Sequence, residues 1–138
     1  MTAEYLFVYG TLRRGLKPGK LLMTEGHVEY VGRAHLQGKL FEIGGYPGAV
    51  LSEDPGDQVK GEVFLLNEPH TVLARLDEYE GCGPGEPEPQ EYKRLKYDVV
   101  LEDGGLLCAW VYLFNRPTTG LTRIASGDYL DFAGTAKT

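Results

Sequence analysis

Residues 60–81, KGEVFLLNEPHTVLARLDEYEG, change period halfway along. The run KGEVFLL (60–66) is short, apolar and β-prone, and it reads as a strand. From Asn67 the pattern turns helical. Asn67 can cap, Pro69 suits a first turn where a missing N–H costs nothing, and Val72, Leu73 and Leu76 recur at helical spacing until Gly81 stops the run.

Strand signals dominate on both sides of that helix, at residues 5–9, 27–35, 38–43, 49–51, 94–101 and 107–114, where β-branched and aromatic residues cluster. Turn residues separate them: Gly44-Gly45, Pro47-Gly48, Asp54-Pro55-Gly56, and Asp103-Gly104-Gly105, the last reading as a hairpin. Seven short strands and one solid helix predict an α+β domain whose barrel-like, mostly antiparallel sheet wraps its core against the helix. A short C-terminal turn is expected at residues 128–132. With no linker-like shift in composition, residues 1–138 read as a single domain.

Composition narrows the function classes. A hydrophobic fraction of 42% with 9 Tyr, 5 Phe and 1 Trp describes a packed globule rather than a disordered chain. A net charge of -6 leaves no basic field for a phosphate backbone, so nucleic acid is not an expected partner. The start MTAEYLFVYG has neither a basic leader nor an export-length apolar stretch, and no later run approaches bilayer length. The chain therefore reads as soluble and cytoplasmic, with no membrane partner. In that setting Cys82 and Cys108 read as reduced thiols rather than a disulfide.

The helix ends in three acids, Asp77, Glu78 and Glu80, where the macrodipole disfavours negative charge by about 0.3–1 kcal/mol per exposed group. A helical wheel sorts them. At about 100° per residue, with Val72 at zero, the stripe of Val72, Leu73 and Leu76 centres near about 50°. Glu80 falls near about 80°, inside the stripe, Asp77 near about 140° on its flank, and Glu78 near about 240° on the opposite face. An inward carboxylate at a helix C-terminus beside Asp77 has its ionised form disfavoured three ways, which is how a general base is tuned toward neutrality. The competing reading is a frayed end, with Glu80 in solvent or in an ordinary ion pair.

The second candidate is the exit of the first strand, YLFVYGTLRRG, residues 5–15. Gly10 is free to take a positive φ, and such a turn can aim successive backbone N–H groups at one anion. The Gly10-x4-Gly15 spacing lacks the lysine of a phosphate-binding loop, because Leu16 stands there, and it does not match the dinucleotide fingerprint. From spacing alone, an ordinary strand exit with a packed aromatic accounts better for Tyr9, Gly10, Thr11 and Leu12 than an anion nest does.

Taken together, VYGTLRRG, YPGAV (46–50), KGEVF (60–64), LDEYEG (76–81) and EYKR (91–94) resemble, in order and rough separation, the gamma-glutamylcyclotransferase-like family. The resemblance runs from about residue 5 to 112. Thr11 stands where many members have serine, which keeps the hydroxyl. The resemblance implies a small mixed barrel with flanking helices, a substrate-binding loop at Tyr9, Gly10, Thr11 and Leu12, and a catalytic glutamate at Glu80.

The implied reaction is intramolecular. The α-amine of a γ-glutamyl amide attacks its own γ-carbonyl, closing 5-oxoproline and releasing the free amine, with neither metal nor cofactor. A single carboxylate near neutral pKa can take the proton from the attacking amine and hand it to the leaving one, the role expected of Glu80. The N–H groups of Gly10 to Leu12 can hold the substrate carboxylate or the developing oxyanion. Tyr9, Tyr46 and Tyr92 are candidate walls, with Tyr46 better suited to core packing, and residues 81–92 can form a flap over the site.

Three rival readings are weaker. A cysteine nucleophile would need Cys82 or Cys108 beside a histidine, yet Cys108 lies in an apolar strand and reads as core. His27, His35, His70 and the two cysteines lack metal-ligand spacing. A non-catalytic binding domain that keeps the same cradle remains the alternative, against which the intact Glu80 argues.

Overall fold

The computed structural model describes residues 3–10, 28–80 and 90–129, with the backbone alone for residues 78–80. Its elements are β1 (Glu4–Val8), β2 (Val28–Glu42), β3 (Pro47–Leu51), β4 (Gln58–Leu66), α1 (Pro69–Glu80), β5 (Tyr92–Leu101), β6 (Leu106–Phe114) and β7 (Thr122–Arg123). Five strands close on themselves in the order β2-β4-β1-β6-β5 and back to β2. The closing seam is short, with Ala34 opposite Leu101 and His35 opposite Val100. Among the described strands the pairings are antiparallel except β1 with β6, where Leu6 meets Trp110 in parallel. β3 and β7 both pair with the second half of β2, outside the ring.

The barrel has a core on each side of its wall. Phe7, Leu36, Val59, Val63, Val99 and Val111 fill the interior, while Leu6, Val8, Phe64, Leu66, Tyr112 and Phe114 face outward and pack with Val72, Leu73 and Leu76 of α1. β4 is therefore buried on both faces, which explains why KGEVFLL reads as a continuous apolar run rather than an alternating one. Gly61 of that run faces inward, where a Cβ would sit 2.2 Å from the Val8 carbonyl oxygen and 2.7 Å from the Phe7 ring.

The stripe expected on α1 is the buried one, with Val72, Leu73 and Leu76 all inside. The cap differs by one residue. Val72 N–H donates to the Glu68 carbonyl at 3.0 Å, so Glu68 is the N-cap by backbone geometry and Pro69 takes the first helical position.

Two expected strands, 27–35 and 38–43, are one 15-residue strand, β2. Gly38, where the second expected strand begins, is a close approach, since a Cβ there would lie 2.5 Å from the Val50 carbonyl oxygen. The seventh strand is instead β7, too short to leave a sequence pattern. Pro47-Gly48 opens β3 rather than turning, and the reversal belongs to Gly44-Gly45, where Gly45 has φ 96°. The Asp103-Gly104-Gly105 hairpin forms as expected, with Asp103 accepting from Gly105 N–H at 2.8 Å. Cys108 is exposed, on the outer face of β6 beyond the helix, and is not core. The turn expected at 128–132 lies mostly outside the described residues, as does Cys82.

Candidate active site

β1 delivers Tyr9 and Gly10 to the rim of the barrel, where the starts of β3 and β5 and the end of β6 converge. Tyr9 is buried. Its hydroxyl donates to the Tyr112 carbonyl and accepts from Ala49 N–H at 3.2 Å. Gly10 lies against β3, and a Cβ at that position would sit 2.5 Å from Cγ of Pro47. Its φ is outside the left-handed region, so the glycine is required by proximity to Pro47 and not by the positive φ expected for the turn. Tyr92 is buried and donates its hydroxyl to the Pro47 carbonyl at 2.6 Å. Its ring meets Phe114 edge-on at 5.7 Å, and Tyr46 lies 6.5 Å away. Pro47 thus joins two sequence candidates, Gly10 through its ring and Tyr92 through its carbonyl.

Tyr46 is half-buried in the outer core, as expected. Its hydroxyl donates to Glu91 at 2.6 Å, and Arg116 stands 3.8 Å from the same carboxylate. Thr11 and Leu12 lie outside the described residues, as do 81–89 of the expected flap.

On the helix side, α1 ends at Glu80, whose side chain lies outside what the structure describes. Asp77 occupies the flank given by the wheel and is held there. Arg94 grips it with both arms of the guanidinium, Nε at 2.7 Å and Nη2 at 3.0 Å, and the Tyr112 hydroxyl donates to Oδ1 at 2.6 Å. Such a fork fixes orientation as well as charge. Arg94 in turn stacks on Trp110, its Cζ 4.4 Å from the ring centroid, while Trp110 Nε1 and Lys96 both reach Glu4.

Tyr112 is the hub of this arrangement. Its side chain holds the last turn of α1 through Asp77, and its main-chain carbonyl holds Tyr9 at the root of the loop. The loop root and the helix terminus, 60-odd residues apart in sequence, are tied to one residue of β6. Sequence reasoning singled out neither Tyr112 nor Arg94, although Arg94 stands in the quoted EYKR motif. It also passed over Glu62 of KGEVF, the one charged side chain found buried among the described residues. Glu62 pairs with Val8 of β1 and, by strand alternation, shares the outer face with Phe64. Among the described residues no three His, Cys, Asp or Glu side chains gather as metal ligands, and no helix is long and apolar enough to cross a membrane.

Among the described residues, a closed five-stranded barrel is covered by one helix, and Tyr112 joins the exit of β1 to the last turn of that helix, a small α+β scaffold. The chain belongs to the family described as Gamma-glutamyl cyclotransferase, AIG2-like, whose model matches residues 6–131. The gamma-glutamylcyclotransferase family protein YtfP of Escherichia coli strain K12 is 34% identical over 134 residues, covering 91% of this chain and 96% of that protein. The gamma-L-glutamyl-butirosin B gamma-glutamyl cyclotransferase of Niallia circulans is 35% identical over 113 residues, covering 80% of this chain and 67% of its own length. The crystal structure of an AIG2-like protein from Mus musculus superposes with a TM-score of 0.65 at 27% identity, covering 82% of this chain and 78% of that one. The chain is thus an enzyme of the gamma-glutamylcyclotransferase family.

Proposed function

We propose that the protein releases 5-oxoproline and a free amine from a small γ-glutamyl amide or peptide, with Glu80 moving the proton. The α-amine nitrogen bonds to the γ-carbonyl carbon and closes the ring. The amide C–N bond breaks, and the proton lost by the attacking amine goes by way of the Glu80 carboxylate to the departing nitrogen. Gly10, Thr11 and Leu12 supply backbone N–H groups for the substrate carboxylate or the oxyanion, and Tyr9 and Tyr92 set the wall against which the glutamyl chain folds. The chemistry asks for no metal and no cofactor, and the reading keeps the protein cytoplasmic.

The observation that carries this reading is the Tyr112 hub, which supports bringing the loop and the last helical turn to one place. The name of the Niallia circulans relative supports γ-glutamyl amides of small molecules as the substrate class. The test is incubation with γ-glutamyl peptides and γ-glutamyl amines, followed by detection of 5-oxoproline. Glu80→Gln is expected to lose about 10²–10⁴-fold in kcat. No product across the panel, or full activity in Glu80→Gln, sinks the proposal.

A further inference from the structure

The starts of β3 and β5 meet at the rim and then part. Tyr92 of β5 donates its hydroxyl to the Pro47 carbonyl of β3 at 2.6 Å, and a Cβ on Gly48 would sit 2.9 Å from Cβ of Phe114. Beyond that closure both strands run antiparallel to β2, and so leave the rim in the same direction, but they do not pair with each other. β3 pairs with β2, while β5 pairs with β6 and only from Val100 onward with β2. Between them lies a groove of about 350 Å³, within the range of about 300–1,000 Å³ that small-molecule sites occupy.

The lining is of two kinds. Val50 and Leu51 of β3 and Leu95 of β5 give it an apolar floor, with Leu51 37% and Leu95 40% exposed. Lys93 of β5 and Arg116, just past β6, give it positive charge, and no acidic side chain lines it among the described residues. Arg116 shares its charge with Glu91, 3.8 Å away, whereas Lys93 has no carboxylate partner among the described residues. In a chain of net charge -6 this is a local excess of cation, set by strand positions and not by composition.

The groove starts where the candidate site ends. Lys93 follows Tyr92 along β5, and Phe114, which also lines the groove, meets the Tyr92 ring edge-on at 5.7 Å. A γ-glutamyl amide held at the rim by its glutamyl end must lead its other half away from the rim. Building on the cyclotransferase reading, we propose that this groove is the subsite for the leaving amine and that it selects an amine with an apolar body and a carboxylate over a cationic one. Lys93 meets the carboxylate, and Val50, Leu51 and Leu95 cover the apolar body. A cationic amine would face Lys93 and Arg116, and that repulsion discriminates against it. Lys93 is thus a specificity residue, acting on the part of the substrate that departs.

The experiment compares kcat/KM for the γ-glutamyl amides of leucine, leucinamide, glycine and 1,5-diaminopentane. Wild type is expected to prefer leucine over leucinamide by about two- to fivefold, the range an exposed ion pair allows, and over diaminopentane by more. Lys93→Met removes the preference for leucine over leucinamide, and Lys93→Glu reverses it. Leu95→Ala lowers the preference for leucine over glycine. Lys93 and Leu95 are both exposed, so these substitutions leave the core in place. A leucine-to-leucinamide ratio that stays at the wild-type value in both Lys93 variants, or a wild type that prefers the diaminopentane amide, overturns the proposal. If no amide is turned over, the cyclotransferase reading fails by itself, and amide chemical-shift mapping of the wild type with γ-glutamyl-leucine decides the groove. Shifts at Leu51, Lys93 and Leu95 that Lys93→Glu abolishes support it, and their absence overturns it.

Discussion

Among the described residues stand two arginine–aspartate pairs of the same length, 2.7 Å. Arg94–Asp77 joins β5 to the last turn of α1. Arg123–Asp57 joins β7 to the turn ahead of β4, with Ser52 donating to Asp57 at 2.6 Å. Distance does not distinguish them. Exposure and attachment do: Arg94 is 24% exposed and stacked on Trp110, whereas Arg123 is 44% exposed and reaches across the surface. An ion pair matters to function when one of its ends carries a reacting element, and an exposed pair contributes little to stability.

The largest expected difference comes from truncating the two acids. Asp77→Ala removes the acceptor that orients the half-buried Arg94 guanidinium and takes the Tyr112 hydroxyl, at a cost of about 2–3 kcal/mol, and kcat is expected to fall at least tenfold. Asp57→Ala is expected to keep the wild-type kcat. Thermal melts and 5-oxoproline release on both variants check the contrast, and equal losses would break it.

Gly10→Ala asks how closely the loop root is fitted. The added Cβ meets the ring of Pro47, an overpacking cost of about 1–3 kcal/mol that must push the loop or β3 aside. A rise in KM larger than the fall in Tm accounts for is the expected result. Tyr112→Phe removes one arm of the hub, the hydroxyl on Asp77, and keeps the carbonyl that holds Tyr9. A loss of about 1 kcal/mol in stability and a several-fold drop in kcat are expected.

The smallest effect is on acid stability. The hydrogen bond from Ser52, and then that from Arg123, hold the Asp57 carboxyl below its ordinary value. A depressed folded-state pKa adds stability above the unfolded value of about 3.9, and that stability is lost as pH falls through the lower folded value. Asp57→Asn should flatten the dependence of Tm on pH below about 4 and leave the neutral-pH kcat alone.

How far the sequence reached follows from the range of each signal. The buried stripe of α1 and the hairpin at Gly104 were legible because period and turn chemistry are local. The wheel also placed Asp77 on the flank, where it is found. Its partners were not legible, because Arg94 lies 17 residues away and Tyr112 35, and neither spacing carries a period. The bond from Tyr9 to Tyr112 spans 103 residues and uses a main-chain carbonyl, which no side-chain pattern can announce. Gly10 was misread for a related reason. A glycine serves equally for a turn or for a close approach, and only the neighbouring strand decides which. The motif KGEVF was read for its apolar residues, so that Glu62, buried among them, passed unnoticed.

The comparison of the two ion pairs has meaning only if the helix end that Asp77 holds is the reacting one. The direct measurement is kcat for 5-oxoproline release by Glu80→Gln on a γ-glutamyl amide that the wild type turns over, with the Tm of both recorded. A fall of about 10²–10⁴ in kcat at an unchanged Tm is the predicted result. Wild-type turnover by a folded Glu80→Gln would contradict the account.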